Sequence, residues 1–158
     1  MVSRLLALFV SCLLIALIHI PDAQAQQRHP GDLGVGLGST TIASGVSVKQ
    51  IAGPTALQLT AGCWRDCDGI SASLDFLGSM PPLTTHPFLL VAWNFGFGGA
   101  LGLADSNIAA AGSFILGLEV IFQELPFDLV LEWRPSVLVV PDVDLDLITF
   151  GGHIRFYP

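Results

Sequence analysis

The residues of this sequence that could support chemistry are a few charged side chains, each standing among apolar or small neighbours. Three cations and four carboxylates nearly balance, so buried ion pairs are the first chemistry that they suggest. A histidine within such a network could make it respond to pH. A second interpretation is a gate or an ion pathway that opens when a pair exchanges partners. The residues are Lys49, Asp75, Glu119, Asp128, Glu132, Arg134, His153 and Arg155.

The spacing of the other reactive residues does not favour catalysis or metal binding. His29, His86 and His153 lie in three separate segments, so neither a Ser-His-acid triad nor a metal site is predicted. The glycines of "DLGVGLG" (32–38) alternate as in a strand, and no helix start follows them that could hold a phosphate. We therefore expect no enzymatic activity, no cofactor and no metal.

The charged residues lie on segments in which bulky apolar residues alternate with small or polar ones. In residues 127–139 one face is apolar, and the other carries Asp128, Glu132, Arg134 and Ser136. Alternation with a period of two predicts β-strands. It recurs in eight segments, near 32–38, 42–51, 56–63, 70–76, 87–103, 110–122, 127–139 and 148–157.

Eight strands predict an all-β fold, an antiparallel up-and-down transmembrane β-barrel. An even number of strands lets the sheet close with both ends of the chain on one side. A barrel of eight strands is just wide enough for side chains to fill its interior. The 17 glycines of the chain suit such a narrow interior. The predicted turns on the periplasmic side lie near 52–55, 79–86 and 123–126.

The first 25 residues have the pattern of a secretory signal peptide. Arg4 is followed by apolar residues from Leu5 to Ile20, then by Pro21 and the small-x-small triplet 23–25. An uncleaved anchor helix is the alternative, but the apolar run is shorter than the ~20 residues needed to span a bilayer. We expect cleavage after residue 25 and a single barrel domain over 26–158.

The composition separates the classes of protein that remain. Only 12% of the residues are charged, and the net charge is −7, whereas soluble domains average about 25% charged residues. No apolar run of ~20 residues follows residue 25, which excludes a helical membrane protein. A membrane β-barrel fits both facts because only every second residue faces lipid. A soluble lipocalin-like barrel and a secreted β-sandwich are less favoured, and an acidic chain is a poor nucleic-acid binder.

Two cysteines flank a predicted outer loop, "CWRDCDG" (63–69). The cell envelope is oxidising, so a disulfide between Cys63 and Cys67 is predicted, with a pair of free thiols as the alternative. The rim of the outer loops is acidic, which suggests either solvated charges or weak divalent-cation bridging to lipopolysaccharide. The aspartates concerned are Asp66, Asp68, Asp142, Asp144 and Asp146.

The signal peptide, "GDLGVGLG" (31–38) and "ELPFDLVLEWRPSVLVVPDVDLDL…GGHIRFYP" (124–158) together resemble a largely uncharacterised family of small bacterial outer-membrane β-barrels. Their architecture is that of the OmpA and OmpX membrane domains. The resemblance implies a location in the bacterial outer membrane, with outer-membrane lipid, lipopolysaccharide and the barrel-assembly machinery as partners. It also implies an assembly signal at the end of the chain, although Pro158 stands where an aromatic residue is usual. That signal consists of Ile154, Phe156, Tyr157 and Pro158.

These observations predict a non-enzymatic envelope protein whose lumen is filled by side chains. A narrow pore or ion conduit, gated by the lumen ion pairs, is the second interpretation. A soluble lipocalin-like carrier is the third.

Overall fold

The alternating segments of the sequence form the strands of the structure. A computed structural model describes residues 28–64, 67–104 and 107–158; the predicted signal peptide and Asp66 lie outside these ranges. No helix that could cross a bilayer occurs in the described ranges. Their strands are β1 (Leu33–Ser39), β2 (Ser44–Ala52), β3 (Thr55–Trp64), β4 (Gly69–Ser79), β5 (Thr84–His86), β6 (Leu89–Ala104), β7 (Asn107–Phe122), β8 (Phe127–Trp133), β9 (Ser136–Val140), β10 (Asp144–Asp146) and β11 (Phe150–Phe156).

The strands close into one antiparallel barrel with eight wall positions, as predicted. Around the wall the order is β1-β2-β3-β4-β6-β7-β8-β11, and β11 pairs with β1 to close the ring. β8 and β9 share one wall position because both pair with β7, on either side of Pro135. Proline has no N–H to donate to the ladder, which accounts for the interruption.

The strand map differs from the prediction in two places. The predicted turn at 79–86 contains β5, which pairs with the first residues of β6. The closing strand begins at Phe150 rather than at Ile148, and β10 instead forms a hairpin with β9. The Asp146 Oδ1 atom accepts a hydrogen bond from the Ile148 N–H at 2.9 Å and so bends the chain between β10 and β11. A period of two cannot reveal such a local side-chain bond.

The two ends of the barrel carry different connections. The lower end holds Tyr157, the turn 123–126 and the two-residue turn between β2 and β3. In that turn Gly53 has φ +71° and Pro54 follows, as a tight hairpin of type II′ requires. The upper end holds the connections 40–43 and 141–143 together with Cys63 and Cys67.

Glycines on β1 make room for large side chains of the adjacent strand β11. Gly34, Gly36 and Gly38 face the interior along the closing seam. A methyl group at Gly38 would collide with the His153 imidazole, and one at Gly34 would collide with the Tyr157 ring. The alternating glycines of the sequence are thus a packing feature, as predicted. They leave space inside the barrel for the side chains of β11 and of Tyr157.

Adding a methyl group at Gly38 therefore tests this packing. We expect Gly38→Ala to lower the free energy of unfolding by about 1–3 kcal/mol, because the imidazole must move from its hydrogen bonds. The matched control is Gly112→Ala, since the space beyond Gly112 is open; it should gain about 0.5–1 kcal/mol from the loss of a strand glycine. Chemical denaturation measures the free energy of unfolding of both variants. An equal change in the two would contradict the packing of Gly38 against His153.

Candidate functional site

Arg134, which follows β8, is held by two carboxylates inside the barrel. Its Nη2 atom lies 2.7 Å from Asp75 Oδ1 on β4, and its Nη1 atom lies 2.5 Å from Glu132 Oε2 on β8. Nη1 also donates to Asp75 Oδ2 at 3.1 Å. All three side chains are buried. A bidentate guanidinium–carboxylate pair is the strong form of an ion pair, so this group fixes the wall at β4 to the wall at β8.

Gln58 on β3 links this group to the rest of the interior. Its amide nitrogen donates to Asp75 Oδ2 at 2.9 Å and to Glu132 Oε1 at 3.1 Å. Its amide oxygen accepts a hydrogen bond from Arg155 on β11. Both N–H groups and the oxygen of the amide are therefore used, and a neutral residue stands at the centre of the charged cluster.

A row of Ser47, His153 and Glu132 crosses the same layer. Ser47 Oγ lies 3.0 Å from His153 Nδ1, and His153 Nε2 lies 3.2 Å from Glu132 Oε2. Arg155 Nε donates to Ser47 Oγ at 3.1 Å. The Gln58 amide nitrogen lies 3.2 Å from the same His153 Nε2 atom that faces Glu132.

This row has the residue types of a Ser-His-acid triad, which the sequence analysis did not predict. The serine lies 106 residues from the histidine in the chain, and no local motif connects the two. Ser47 has no exposed surface, and Glu132 has none. The row is a hydrogen-bonded bridge between β2, β11 and β8.

A second ion pair spans the barrel below this layer. Lys49 Nζ on β2 lies 2.8 and 2.7 Å from the two oxygens of Glu119 on β7. β2 and β7 stand on opposite sides of the wall order, with three strands between them in either direction. Asn94 on β6 adds a longer contact to Glu119, at 3.5 Å. The pair therefore connects opposite walls directly.

Asp128 pairs with a residue that does not belong to any strand of the wall. The Nη2 atom of Arg28, which precedes β1, lies 2.5 Å from Asp128 Oδ1. Including Arg28, the described interior contains four cations and four carboxylates. Arg28 precedes the first alternating segment of the sequence, so the fourth cation was not predicted.

The structure brings all the predicted lumen residues inside the barrel. Glu132 and Arg134 contact each other, as neighbours on one face should. Glu119 and Arg155 form no ion pair with them. Glu119 pairs with Lys49 across the barrel, and among the described residues no carboxylate lies within salt-bridge distance of Arg155.

The predicted loop and terminal residues lie at the two ends of the barrel. Cys63 and Cys67 form a disulfide at the upper end. Asp142, Asp144 and Asp146 are exposed there, and the Ile148 N–H lowers the pKa of Asp146, which keeps it ionised. At the end of the chain Ile154 and Phe156 point outward, Tyr157 is buried in the lower interior, and Pro158 is exposed.

The outer face of the wall has the opposite character to the interior. Its outward positions in β1 to β4, β6 to β9 and β11 carry no charged residue. Beside Pro135 a depression of about 650 Å³ opens on this face. The depression is lined mainly by apolar side chains, among them Phe97, Phe114, Trp133, Val137, Leu145 and Leu147.

Neither a metal centre nor a known relative accounts for this arrangement. No group of three or more His, Cys, Asp or Glu side chains in the described ranges could hold a metal ion. The chain matches no protein-family model, no curated protein and no solved structure. The class of the molecule is therefore defined by its own geometry: an eight-stranded antiparallel barrel, consistent with an OmpA/OmpX-like architecture, with a cross-linked polar interior.

Removing Arg134 tests the central ion cluster. We expect Arg134→Met to cost about 3–5 kcal/mol of unfolding free energy, because Asp75 and Glu132 stay buried without their cation. Adding Asp75→Asn and Glu132→Gln should recover much of this loss, since both charges are then gone. Val137→Met, on the outer face, is the control. If denaturation curves give Arg134→Met the same free energy of unfolding as the control, the cluster does not stabilise the barrel.

Proposed function

We propose that this chain is an integral protein of the bacterial outer membrane, where it serves a structural role in the envelope without catalysis. One observation carries the proposal: in the part of the chain that the structure describes, the outward wall positions carry no charge, while eight charged side chains lie inside. Soluble proteins avoid large exposed apolar surfaces. A barrel that spans a membrane requires this apolar surface and places its polar groups in the lumen.

The strand lengths support the same proposal. A tilted strand needs about 9–11 residues to cross the hydrocarbon core, and β3 and β4 have 10 and 11. Closure of β11 onto β1 joins the first and last strands of the wall, as lipid demands of a spanning sheet. The natural partners of such a surface are outer-membrane lipid, lipopolysaccharide and the barrel-assembly machinery. Export after removal of residues 1–25 belongs to the same proposal.

The filled interior supports a structural role over transport. The Lys49–Glu119 pair and the Arg134 cluster connect opposite walls by short contacts between buried side chains. A lipocalin-like carrier would need an open apolar cavity, whereas the buried apolar side chains of the described interior, such as Leu77 and Ile115, pack into clusters beside the ion pairs. Buried Ser47 and Glu132 likewise leave the triad-like row without access for a substrate.

An arginine on the outer wall tests the membrane proposal. Leu131 lies mid-wall on β8 with 59% of its surface exposed. In a membrane, Leu131→Arg should cost about 2–4 kcal/mol near the bilayer midplane and impair assembly. The control is Val143→Arg, at a loop position that is 79% exposed. We expect heat-modifiable gel migration and outer-membrane recovery for the wild type and the control, but not for Leu131→Arg.

A soluble barrel would behave differently in the same experiment. The wild type would be recovered in the soluble fraction, and both arginine variants would be tolerated equally. Either result would contradict the membrane proposal.

A narrow ion conduit is the second candidate function. Inward charges occur both at Arg134 and at Asp128 near the lower end, as an ion pathway would require. Planar-bilayer recordings separate the two functions. We expect no steady conductance from the wild type, Glu132→Ala or Arg134→Ala. A wild-type conductance that changes in either variant would favour the conduit.

A further inference from the structure

The segment that precedes β1 is attached to the lower end of the barrel. The His29 N–H donates to Asp32 Oδ2 at 2.8 Å, and the Asp32 N–H donates to the His29 carbonyl at 3.0 Å. The segment also exchanges backbone hydrogen bonds with the end of β2. There the Gly31 N–H donates to the Ile51 carbonyl, and the Ile51 N–H donates to the Asp32 carbonyl. The tight turn 29–32 is thus tied to the wall.

This turn places Arg28 beneath the barrel, where its side chain reaches across the neighbouring strand. Its Nη2 atom contacts Asp128 at 2.5 Å and the Phe127 carbonyl at 3.4 Å, both on β8. Its guanidinium carbon lies 4.3 Å from the centroid of the Tyr157 ring, which follows β11. A guanidinium over an aromatic ring adds a cation–π attraction to the ion pair. Only 14% of the Arg28 side chain is exposed.

These contacts cross the seam of the barrel. In the wall β1 is adjacent to β11, and β11 is adjacent to β8. Arg28 therefore connects the start of the first strand to the strand beyond the last one, passing Tyr157 on the way. The ladder at this seam covers only Val35–Ser39 of β1, whereas the ladder of β2 with β3 covers Ser44–Ala52. The seam has the shorter ladder and the additional side-chain contact.

Asp128 depends on this contact. Its side chain has no exposed surface, and Arg28 is the only cation in the described ranges that forms an ion pair with it. Arg155 is the cross-strand neighbour of Asp128, but it donates to Ser47 and Gln58 instead, and Lys49 is engaged by both oxygens of Glu119. If Arg28 leaves, a buried carboxylate remains without a partner, which is a strongly unfavourable state.

We propose that residues 28–32 form an intramolecular clamp that holds the seam between β1 and β11 closed at the lower end of the barrel. Arg28 makes the closing contact, and its partners in that contact are Asp128 and Tyr157. The clamp makes the seam a unit that opens locally when Arg28 is released, while the opposite wall of β3 and β4 stays closed. All its contacts lie within one chain, so the inference does not depend on the membrane proposal.

Amide hydrogen exchange of the folded protein, read by mass spectrometry, tests the clamp. In Arg28→Gln we expect amides of β1 and β11 to exchange about tenfold faster or more, since a buried pair is broken. Amides of β3 and β4 should keep the wild-type rate. His29→Gln is the matched control on the same turn, because its exposed side chain takes no part in the clamp, and it should change neither region. In an Asp128→Asn background, Arg28→Gln should add little.

Two results would overturn the clamp. One is an unchanged exchange rate in β1 and β11 of Arg28→Gln. The other is an equal increase in β3 and β4, since Arg28 would then add only to overall stability. If Arg28→Gln does not fold, Arg28→Lys retains the charge without the planar fork. It should give a smaller increase confined to β1 and β11, and a wild-type rate there would count against the clamp.

Discussion

The rest of this structure depends on the pairing of charges inside a narrow barrel. Each inward charge must be compensated within the lumen, by a counter-charge or by hydrogen bonds, because an isolated buried ion is far too costly to keep. The described interior meets this condition with four cations and four carboxylates, and it uses Gln58, Ser47 and His153 to distribute hydrogen bonds among them. These contacts connect opposite walls of the barrel and occupy space that a large ligand in the lumen would need.

Each strand must supply apolar residues to the outer face and inward polar residues to the lumen. Alternation along each strand places one set of residues outside and the other inside. The small residues follow from this arrangement: Gly38 stands beside His153, and Gly98 stands beside Asp75. At these two places a large inward side chain on one strand lies against a glycine on the neighbouring strand.

Much of the fold could be predicted from the sequence because a period of two is a local signal. The eight wall positions, the sidedness of residues 127–139 and the turn at Gly53 all follow from neighbouring residues. The contact of Glu132 with Arg134 could be predicted too, since the two lie two positions apart on one face.

The partners across the lumen could not be predicted in this way. Lys49 and Glu119 are separated by 70 residues, and their contact depends on the tilt and closure of the whole barrel. The central place of Gln58 could not be predicted, because an uncharged residue gives no electrostatic signal. Arg28 was missed because it lies outside any alternating segment, yet it supplies the charge that balances the interior.

The central claim is that an uncharged outer wall faces lipid while the charged side faces the lumen. Site-directed spin labelling of Phe114 to Ile121 on β7, in lipid vesicles, tests it most directly. The account predicts a period of two: labels at Phe114, Leu116, Leu118 and Val120 collide mainly with oxygen dissolved in the bilayer, and labels at the positions between them collide weakly with any relaxant. Preferential collision of the outward labels with a water-soluble nickel complex would contradict the account.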